Sequence, residues 1–449
     1  MIFFLSVSAA FITLLTILFR PSIGILVAII CKPIIDTGFK YNLFLGLSVT
    51  ELVGAGLPTA LILHMCFSKQ GRPEHMTLFW IWVLYLFINI LGFSVFLSEG
   101  RYLFTVKLFF RIVNGFVGFY MFQAYAADRE SFRRLLIAFL IAGIFPMLMG
   151  MYQAATGHIW HMRTGTFGLV RNVGLYHNAT SFRYFAYMTI TALFLYWSYF
   201  STRSVFQRIM HLSYAAVCAV VLFKVYSKAA VATMALWLLI WGIVNRKVGF
   251  LFLCLVALLA ANVVTGNLIF DQIAQVFLKE TAVMEGTRDS ELMLGGRFFG
   301  WKAALAAFGE APLFNQLIGM GVGGGATHND YLRALLASGV VGLLVYLLLL
   351  GSVGFFVTRN LIFARNPLNV MAFMIFTAYL IDTIGLNPGL YTGYQWYAWG
   401  FMGLAIHGVA GLDEERPGDV AEEPFSNIHE VSAFWNRHGT FGFRFHGRF

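Results

Sequence analysis

The stretch "NDYLRALLASGVVGLLVYLLLLGSVGFFV" (329–357) decides the fold class, because it stays apolar for longer than a helix in a soluble protein needs. About 20 mostly apolar residues are enough for a helix to cross the hydrocarbon core of a bilayer. Similar runs recur along the chain, and the mean hydropathy is +0.75. Charged residues make up 12% of the chain, against about 25% in a typical soluble domain. The sequence therefore predicts an all-α polytopic membrane protein.

The apolar runs predict about 12 or 13 transmembrane helices. The predicted spans are residues 2–19, 22–36, 42–65, 77–98, 106–127, 134–153, 181–199, 212–226, 229–245, 248–265, 329–357, 368–387 and 392–411. Span 22–36 is interrupted by Lys32, Pro33 and Asp36, so it is either a crossing or a re-entrant segment. The first run has no basic segment before it and no small-residue cleavage site, which favours a retained helix over a signal peptide.

Basic residues in the short loops predict the orientation. Lys and Arg concentrate in cytoplasmic loops of membrane proteins. The residues on that side are Lys69, Arg72, Arg129, Arg133, Arg134, Arg203, Arg208, Arg246, Lys247, Arg359 and Arg365. The two longer loops, about 154–180 and 266–327, then face outward. We expect a transmembrane domain over 1–411 and a polar cytoplasmic tail over 412–449.

The first outward loop, 154–180, contains cations and no acidic residue. These cations are Arg163, Arg171, His158, His161 and His177. Since they do not help to set the orientation, an anionic ligand would explain them, and contact with lipid phosphates at the outer surface is the alternative.

His328 lies where the glycine-rich segment "GMGVGGGAT" (319–327) meets the longest apolar run. A histidine can remove a proton from a hydroxyl near neutral pH, but it can equally be the polar end of a transmembrane helix. In an unbroken helix, Gly339 and Gly342 would lie on the same stripe as His328, about 16–21 Å deeper, and allow close helix packing. Asp330 would point to the opposite face, and Asp330, Asn329 or Thr327 could cap the helix.

The second outward loop contains a predicted helix over 295–314, with Arg297 in its first turn. Its apolar positions, from Phe298 through Trp301 to Phe308, recur on one face. We expect this helix to lie along the membrane surface.

Common catalytic motifs are missing from the sequence, which excludes several classes of enzyme. The chain has no P-loop, no H-E-x-x-H, no G-x-S-x-G and no Asp-x-Asp, so ATP-driven, zinc-protease and serine-hydrolase activities lose support.

The outward arginines and histidine indicate a different chemistry. Guanidinium groups bind phosphate oxygens in a bidentate manner. Two or three outward arginines could hold a pyrophosphate without a metal, and a histidine could act as the base. This combination suits transfer from a phosphorylated lipid donor to an alcohol acceptor.

The segment "HNDYLRALLASGVVG" (328–342) resembles the signature of the bacterial O-antigen ligase and O-antigen polymerase superfamily, in which His-Asn, nine residues and Gly-x-x-Gly follow one another. Arg297, Trp301, Pro312–Leu313 and Gly321-x-Gly323 are similar to the upstream motifs of that family. The segment "RTGTFGLVRNVGLYHNAT" (163–180) is similar to its first outward loop. Ser227-Lys228-Ala229 stands where members usually have Ser-Arg-Gly.

The resemblance implies a GT-C-like glycosyltransferase of the bacterial inner membrane, with its site facing the periplasm. Such enzymes move a glycan from undecaprenyl pyrophosphate to the hydroxyl of a glycan, lipid or protein acceptor, during polymerisation or ligation of O-antigen or exopolysaccharide. They need no metal, cofactor or nucleotide sugar, and nucleic acid is not a partner. The implied catalytic residues are His328 and Arg297, and the implied substrate-binding residues are Arg171, Arg163, Arg183 and Lys228. The alternative is a flippase or transporter for lipid-linked oligosaccharides, which would favour helices broken at the midplane.

Two ionisable residues, Arg111 and Asp382, fall inside predicted spans, where charges are costly and usually face a cavity or another helix. Each could contact the lipid-linked substrate, or form a hydrogen bond between helices. The aromatic run "YTGYQWYAW" (391–399) predicts an outer interfacial belt, with sugar stacking as the alternative.

Overall fold

The fold is almost entirely helical, with helices making up 83% of the structure. The computed structural model describes residues 1–44, 46–68, 76–98, 102–158, 160, 171–200, 204–287, 289, 293–321 and 327–412. The compact unit runs from Met1 to Ala410. The predicted tail, 412–449, lies outside the described residues except for its first position.

The helices follow the predicted spans closely. They are α1 (Ile2–Phe19), α2 (Pro21–Asp36), α3 (Val49–Phe67), α4 (Phe79–Ser98), α5 (Tyr102–Tyr125), α6 (Arg129–Thr156), α7 (Ala179–Phe200), α8 (Val205–Lys224), α9 (Lys228–Val244), α10 (Val248–Val264), α11 (Leu268–Met284), α12 (Met293–Gly309), α13 (Leu313–Ile318), α14 (Asp330–Phe363), α15 (Pro367–Gly385) and α16 (Thr392–His407). A short antiparallel hairpin, β1 (Asn42–Phe44) with β2 (Leu47–Ser48), precedes α3. Helices α11, α12 and α13 lie within the predicted outward loop 266–327, and α12 ends before Pro312.

Seven helices of the described chain are long and apolar enough to cross a membrane, namely α1, α3, α5, α6, α8, α14 and α15. Helix α10 and the start of α11, bent by 97°, count as an eighth if they form one span. The class predicted from sequence, an all-α polytopic membrane protein, is confirmed. Among the described residues, the number of candidate spans is below the predicted 12 or 13, because several other predicted spans correspond to helices that are short or polar over the part described. Helix α2, for example, has 16 residues and contains Lys32 and Asp36.

Helix α16 lies in the interior, against α5. An added Cβ on Gly403 would lie 2.2 Å from the carbonyl oxygen of Phe119, so the two backbones approach too closely for a larger residue. The Trp396 indole donates a hydrogen bond of 2.7 Å to the Asn114 side-chain oxygen. Trp396 and Trp399 are each only 2% exposed. The prediction of an interfacial belt over 391–399 is therefore wrong, because helix packing rather than the membrane surface surrounds these rings.

Helix α14 is broken at Gly339, where φ is +67° and ψ is −170°. The backbone of α13 fits into the break: an added Cβ on Gly339 would lie 2.2 Å from the carbonyl oxygen of Leu317. The amide of Met320 donates a hydrogen bond of 2.8 Å to the carbonyl oxygen of Leu336. The prediction of one continuous stripe below His328 is wrong, since the helix axis does not continue through this glycine.

We predict that Gly339→Ala destabilises the protein. A side chain in this backbone conformation costs about 1–3 kcal/mol, and the new methyl group would collide with the backbone of α13. Thermal unfolding in detergent should show a lower melting temperature than for the wild type. Gly351→Ala is the matched control in the same helix, because an added Cβ there meets nothing within 4 Å in the described part of the chain. Equal melting temperatures for the two variants would contradict the role assigned to the break.

Candidate functional site

The candidate residues lie at one end of the helices. The Asn329 side-chain amide donates a hydrogen bond of 3.2 Å to the carbonyl oxygen of Ile384, which joins the start of α14 to the end of α15. At the other ends of helices, beside the basic loops, the amide of Ala410 donates a hydrogen bond of 2.7 Å to the carbonyl oxygen of Ala127. Asn329, next to the candidate His328, therefore lies at the end of α15, whereas Ala410, which follows α16, lies at the end of α5.

His328 immediately precedes the cap of α14. Its φ is +46°, in the left-handed region that residues other than glycine rarely adopt. Asn329 caps the helix by accepting a hydrogen bond of 3.0 Å from the amide of Leu332, and the Trp301 indole donates a hydrogen bond to the Thr327 carbonyl. The imidazole itself is exposed. The hydrogen bonds of Thr327 and Asn329 thus fix the strained backbone of His328, while the residue itself remains exposed. Strained backbone conformations of this kind are common at functional sites.

Arg171, Arg183, Arg297 and His328 form what we call the cationic cluster. Partial burial lowers the pKa of His328 from its ordinary value, and the positive charge of Arg297 lowers it further. Burial lowers the pKa of Arg297, and the charges of Arg171 and Arg183 add to this effect. Burial and the charge of Arg183 likewise lower the pKa of Arg171. Arg297 is therefore within electrostatic reach of the other three residues, and the negative charge of Glu280 opposes part of their effect on it.

Three members of the cationic cluster are unpaired in the part of the chain that the structure describes. Arg171, Arg297 and His328 form no side-chain hydrogen bond or ion pair there. Arg297 packs against a backbone, with its Nη1 3.3 Å from the position of an added Cβ on Gly385. Partly buried cations without partners attract anions, since an anion offsets their desolvation.

Arg183 has a different environment from the other cluster arginines. Its Nη2 lies 2.5 Å from Oδ1 of Asp382, and the two side chains are 1% and 0% exposed. Its Nη1 donates a hydrogen bond of 3.2 Å to the Ser227 hydroxyl, and the rings of Tyr184 and Tyr187 lie 5.0 and 5.5 Å from its guanidinium carbon. Asp382 therefore forms a bond between α15 and α7, and Arg183 adds charge to the cluster from within the core.

Lys228 and Arg163 complete the set of predicted site residues. Lys228 forms an ion pair with Glu280 of α11 and lies 5.7 Å from the Phe277 ring centroid, so its charge is already paired. Arg163 lies outside the described residues.

Asp330 was expected to be a helix cap, and the structure gives it another role. It is 1% exposed and accepts hydrogen bonds from Nε of Arg333 at 2.5 Å and from the Tyr346 hydroxyl at 2.8 Å. Arg333 also donates to the Tyr85 hydroxyl at 3.4 Å. This network ties the two parts of α14 together across the break at Gly339. The i, i+3 spacing of Asp330 and Arg333 was the available signal in the sequence.

Tyr391 is a site residue that sequence analysis missed. Its hydroxyl accepts a hydrogen bond of 2.9 Å from the Asn178 side-chain amide, and its ring meets that of Tyr184 edge-on at 5.1 Å. It lies within electrostatic reach of Arg297 on one side and of Arg111 on the other. Tyr391 also lines a cavity of about 370 Å³, which we call the α3–α5 cavity. The sequence carried no signal for this position beyond an aromatic-rich run.

The chemistry available to the cationic cluster is anion binding and proton transfer. Among the described residues, no group of three or more His, Cys, Asp or Glu side chains is arranged to hold a metal ion. Arginine remains charged at physiological pH, so Arg171 and Arg297 can bind phosphate oxygens. A histidine whose pKa is below its ordinary value is neutral at pH 7 and can accept a proton.

Comparison with known proteins adds no family assignment. No protein-family model matches the chain, and no curated protein matches it.

We predict that Arg297→Gln raises the pKa of His328. Loss of the nearby positive charge makes protonation of the imidazole easier, so its titration should move upward toward the ordinary histidine value. NMR titration of the histidine ring protons, assigned with a His328→Ala sample, measures this shift. Arg134→Gln is the control, because Arg134 lies on α6 and pairs with Glu130. An unchanged titration in Arg297→Gln would contradict the proximity of these two groups.

Proposed function

We propose that this protein is a metal-independent glycosyltransferase that moves a glycan from undecaprenyl pyrophosphate to an acceptor hydroxyl. The observation that carries the proposal is the exposed His328 beside the unpaired Arg297, which is itself within electrostatic reach of the unpaired Arg171, in a polytopic membrane protein. The setting that we propose is the periplasmic face of a bacterial inner membrane, during polymerisation or ligation of O-antigen or exopolysaccharide.

Arg171 and Arg297 suit the pyrophosphate of a lipid-linked donor. Each guanidinium can bind two phosphate oxygens, and a pyrophosphate offers enough oxygens for both. Arg183 is already paired with Asp382, so the two unpaired arginines are the ones assigned to the pyrophosphate. Because the arginines are partly buried, their interaction with a developing negative charge is stronger than it would be in water.

His328 suits the role of general base in the proposed reaction. The acceptor hydroxyl oxygen attacks the anomeric carbon of the donor sugar, and the bond from that carbon to the pyrophosphate oxygen breaks. The electron pair of the broken bond leaves with the lipid pyrophosphate, where Arg297 and Arg171 stabilise it. The hydroxyl proton passes to the neutral imidazole of His328. A lowered pKa supports this role, because the imidazole is free to accept a proton at pH 7.

The break in α14 also suits a transporter, as does the 97° bend between α10 and α11, since transporters use discontinuous helices to bind substrates. Here the backbone of α13, from Leu317 to Gly319, fills the break. The cationic residues lie near helix ends rather than at the break. The transferase proposal therefore accounts for more of the polar residues than a flippase does.

We predict that His328→Ala and Arg297→Ala abolish transfer and leave folding and membrane insertion intact. Loss of a general base lowers rates by about 10²–10⁴-fold, and loss of a group that stabilises developing charge lowers them by about 10²–10³-fold. The assay follows consumption of a purified undecaprenyl-pyrophosphate glycan in detergent and is paired with analysis of surface glycan in cells. Single repeats attached to the surface indicate a polymerase, whereas polymer accumulating on the carrier lipid indicates a ligase.

One control belongs with these variants. Arg134→Ala removes an exposed arginine at the opposite ends of the helices, where it pairs with Glu130. It should keep wild-type transfer. Normal glycan products from His328→Ala and Arg297→Ala would refute the proposed function.

A further inference from the structure

The α3–α5 cavity is lined by Tyr391 but not by Arg297. Its volume is about 370 Å³, within the range of small-ligand sites, which begins at roughly 300 Å³. Among its lining residues, the ionisable groups other than tyrosine are Lys32, Asp36, Glu51, Lys107, Arg111 and His177. The cavity is thus large enough for a small ligand and is rich in charge.

Two of the three lysine and arginine residues in this cavity have a carboxylate partner. Lys32 forms an ion pair with Asp36 in α2. Lys107 lies 2.9 Å from Oε2 of Glu51, and the same oxygen accepts a hydrogen bond of 2.9 Å from the amide of Ser48. These pairs neutralise each other and leave Arg111.

Arg111 is one helical turn from Lys107 in α5, a candidate membrane span. In the described part of the chain it forms no hydrogen bond and no ion pair. Charged groups inside a span are costly unless they pair or face a functional cavity. Since Asp36 and Glu51 are used by the two lysines, the cavity carries one uncompensated positive charge. An anionic ligand would supply the missing partner.

The remaining lining identifies the kind of anion. Hydroxyl and amide side chains line part of the cavity, namely Ser48, Thr50, Asn114, Asn178 and Ser181, and apolar side chains such as Phe110, Phe185 and Met188 line other parts of it. Aromatic rings are also present: the Phe39 and His177 rings meet edge-on at 5.0 Å, and Tyr391 belongs to the lining. A mixture of polar groups and aromatic faces suits a sugar ring, which has both hydroxyl groups and an apolar face. One uncompensated charge matches one carboxylate better than it matches a pyrophosphate with its several charges.

We propose that the α3–α5 cavity binds a carboxylate-bearing sugar unit, with Arg111 receiving the carboxylate. This inference rests on the proposed function, because it takes the sugar to be part of the glycan that is transferred or extended. It deepens that function by naming the substrate class: a glycan that contains an acidic sugar. Tyr391 lines this cavity and is within electrostatic reach of Arg297, so the two sites are neighbours.

The test measures binding directly and does not depend on catalysis. Thermal unfolding of the purified full-length protein in detergent is recorded with glucuronate, and with glucose, methyl glucuronate ester or inorganic phosphate at equal concentration. We expect glucuronate to raise the melting temperature and the two neutral sugars to leave it unchanged. In Arg111→Gln the affinity for glucuronate should fall about tenfold or more, because a charge-assisted hydrogen bond is lost.

Two further measurements separate loss of binding from loss of stability in Arg111→Gln. Without ligand, Arg111→Gln should be at least as stable as the wild type, because it removes an unpaired charge from a span; clear destabilisation would assign Arg111 a structural role and overturn the proposal. Arg134→Gln should keep the full glucuronate effect.

Several outcomes would overturn the proposal. These are no effect of glucuronate on the wild type, an equal effect of glucose, an effect of phosphate as large as that of glucuronate, or undiminished binding in Arg111→Gln. Failure of the proposed function is a separate result. It would appear as normal transfer by His328→Ala and Arg297→Ala, while the effect of glucuronate on melting temperature stayed dependent on Arg111.

Discussion

The ion pair between Arg183 and Asp382 is the interaction on which the interior depends. It joins α7 to α15 with both side chains almost fully buried. Removing one partner of such a pair leaves an unpaired charge in a low-dielectric interior, which is far more costly than losing an exposed salt bridge. Arg183 also acts on Arg171 and Arg297, whose pKa values its charge lowers. The same contact therefore stabilises the helix packing and holds Arg183 within electrostatic reach of Arg171 and Arg297.

Hydropathy was enough to predict where the helices lie, because length and apolar composition are local properties. It did not predict which helices meet lipid. Helix α16 reads as a span with an aromatic belt, yet its Trp396 and Trp399 are enclosed by other helices. The sequence analysis also did not predict the break in α14 at Gly339. A glycine in a helical pattern is compatible with ordinary helix, and only the approach of Leu317 from α13 requires the left-handed conformation.

The chemistry of the candidate site could be predicted from residue types, but the contacts of its residues could not. Histidine and arginine without nearby acids indicated anion chemistry, and the structure brings His328, Arg297 and Arg171 together. Contacts between distant elements were not predictable from one sequence. Lys228 pairs with Glu280, about 50 residues away, and Tyr391 meets Asn178 from the other half of the chain. These pairings come from tertiary packing, which overrides local preference.

The break at Gly339 has a consequence for how α14 fits a bilayer. The helix has 34 residues, and an unbroken helix of that length would measure about 51 Å against a hydrocarbon core of about 30 Å. Residues 340–363 alone measure about 36 Å, enough to cover the hydrophobic thickness without the first part. Residues 330–338 are therefore not needed for the crossing. Their Asp330 and Arg333 can instead form the buried network that reaches Tyr346 in the second part of the helix.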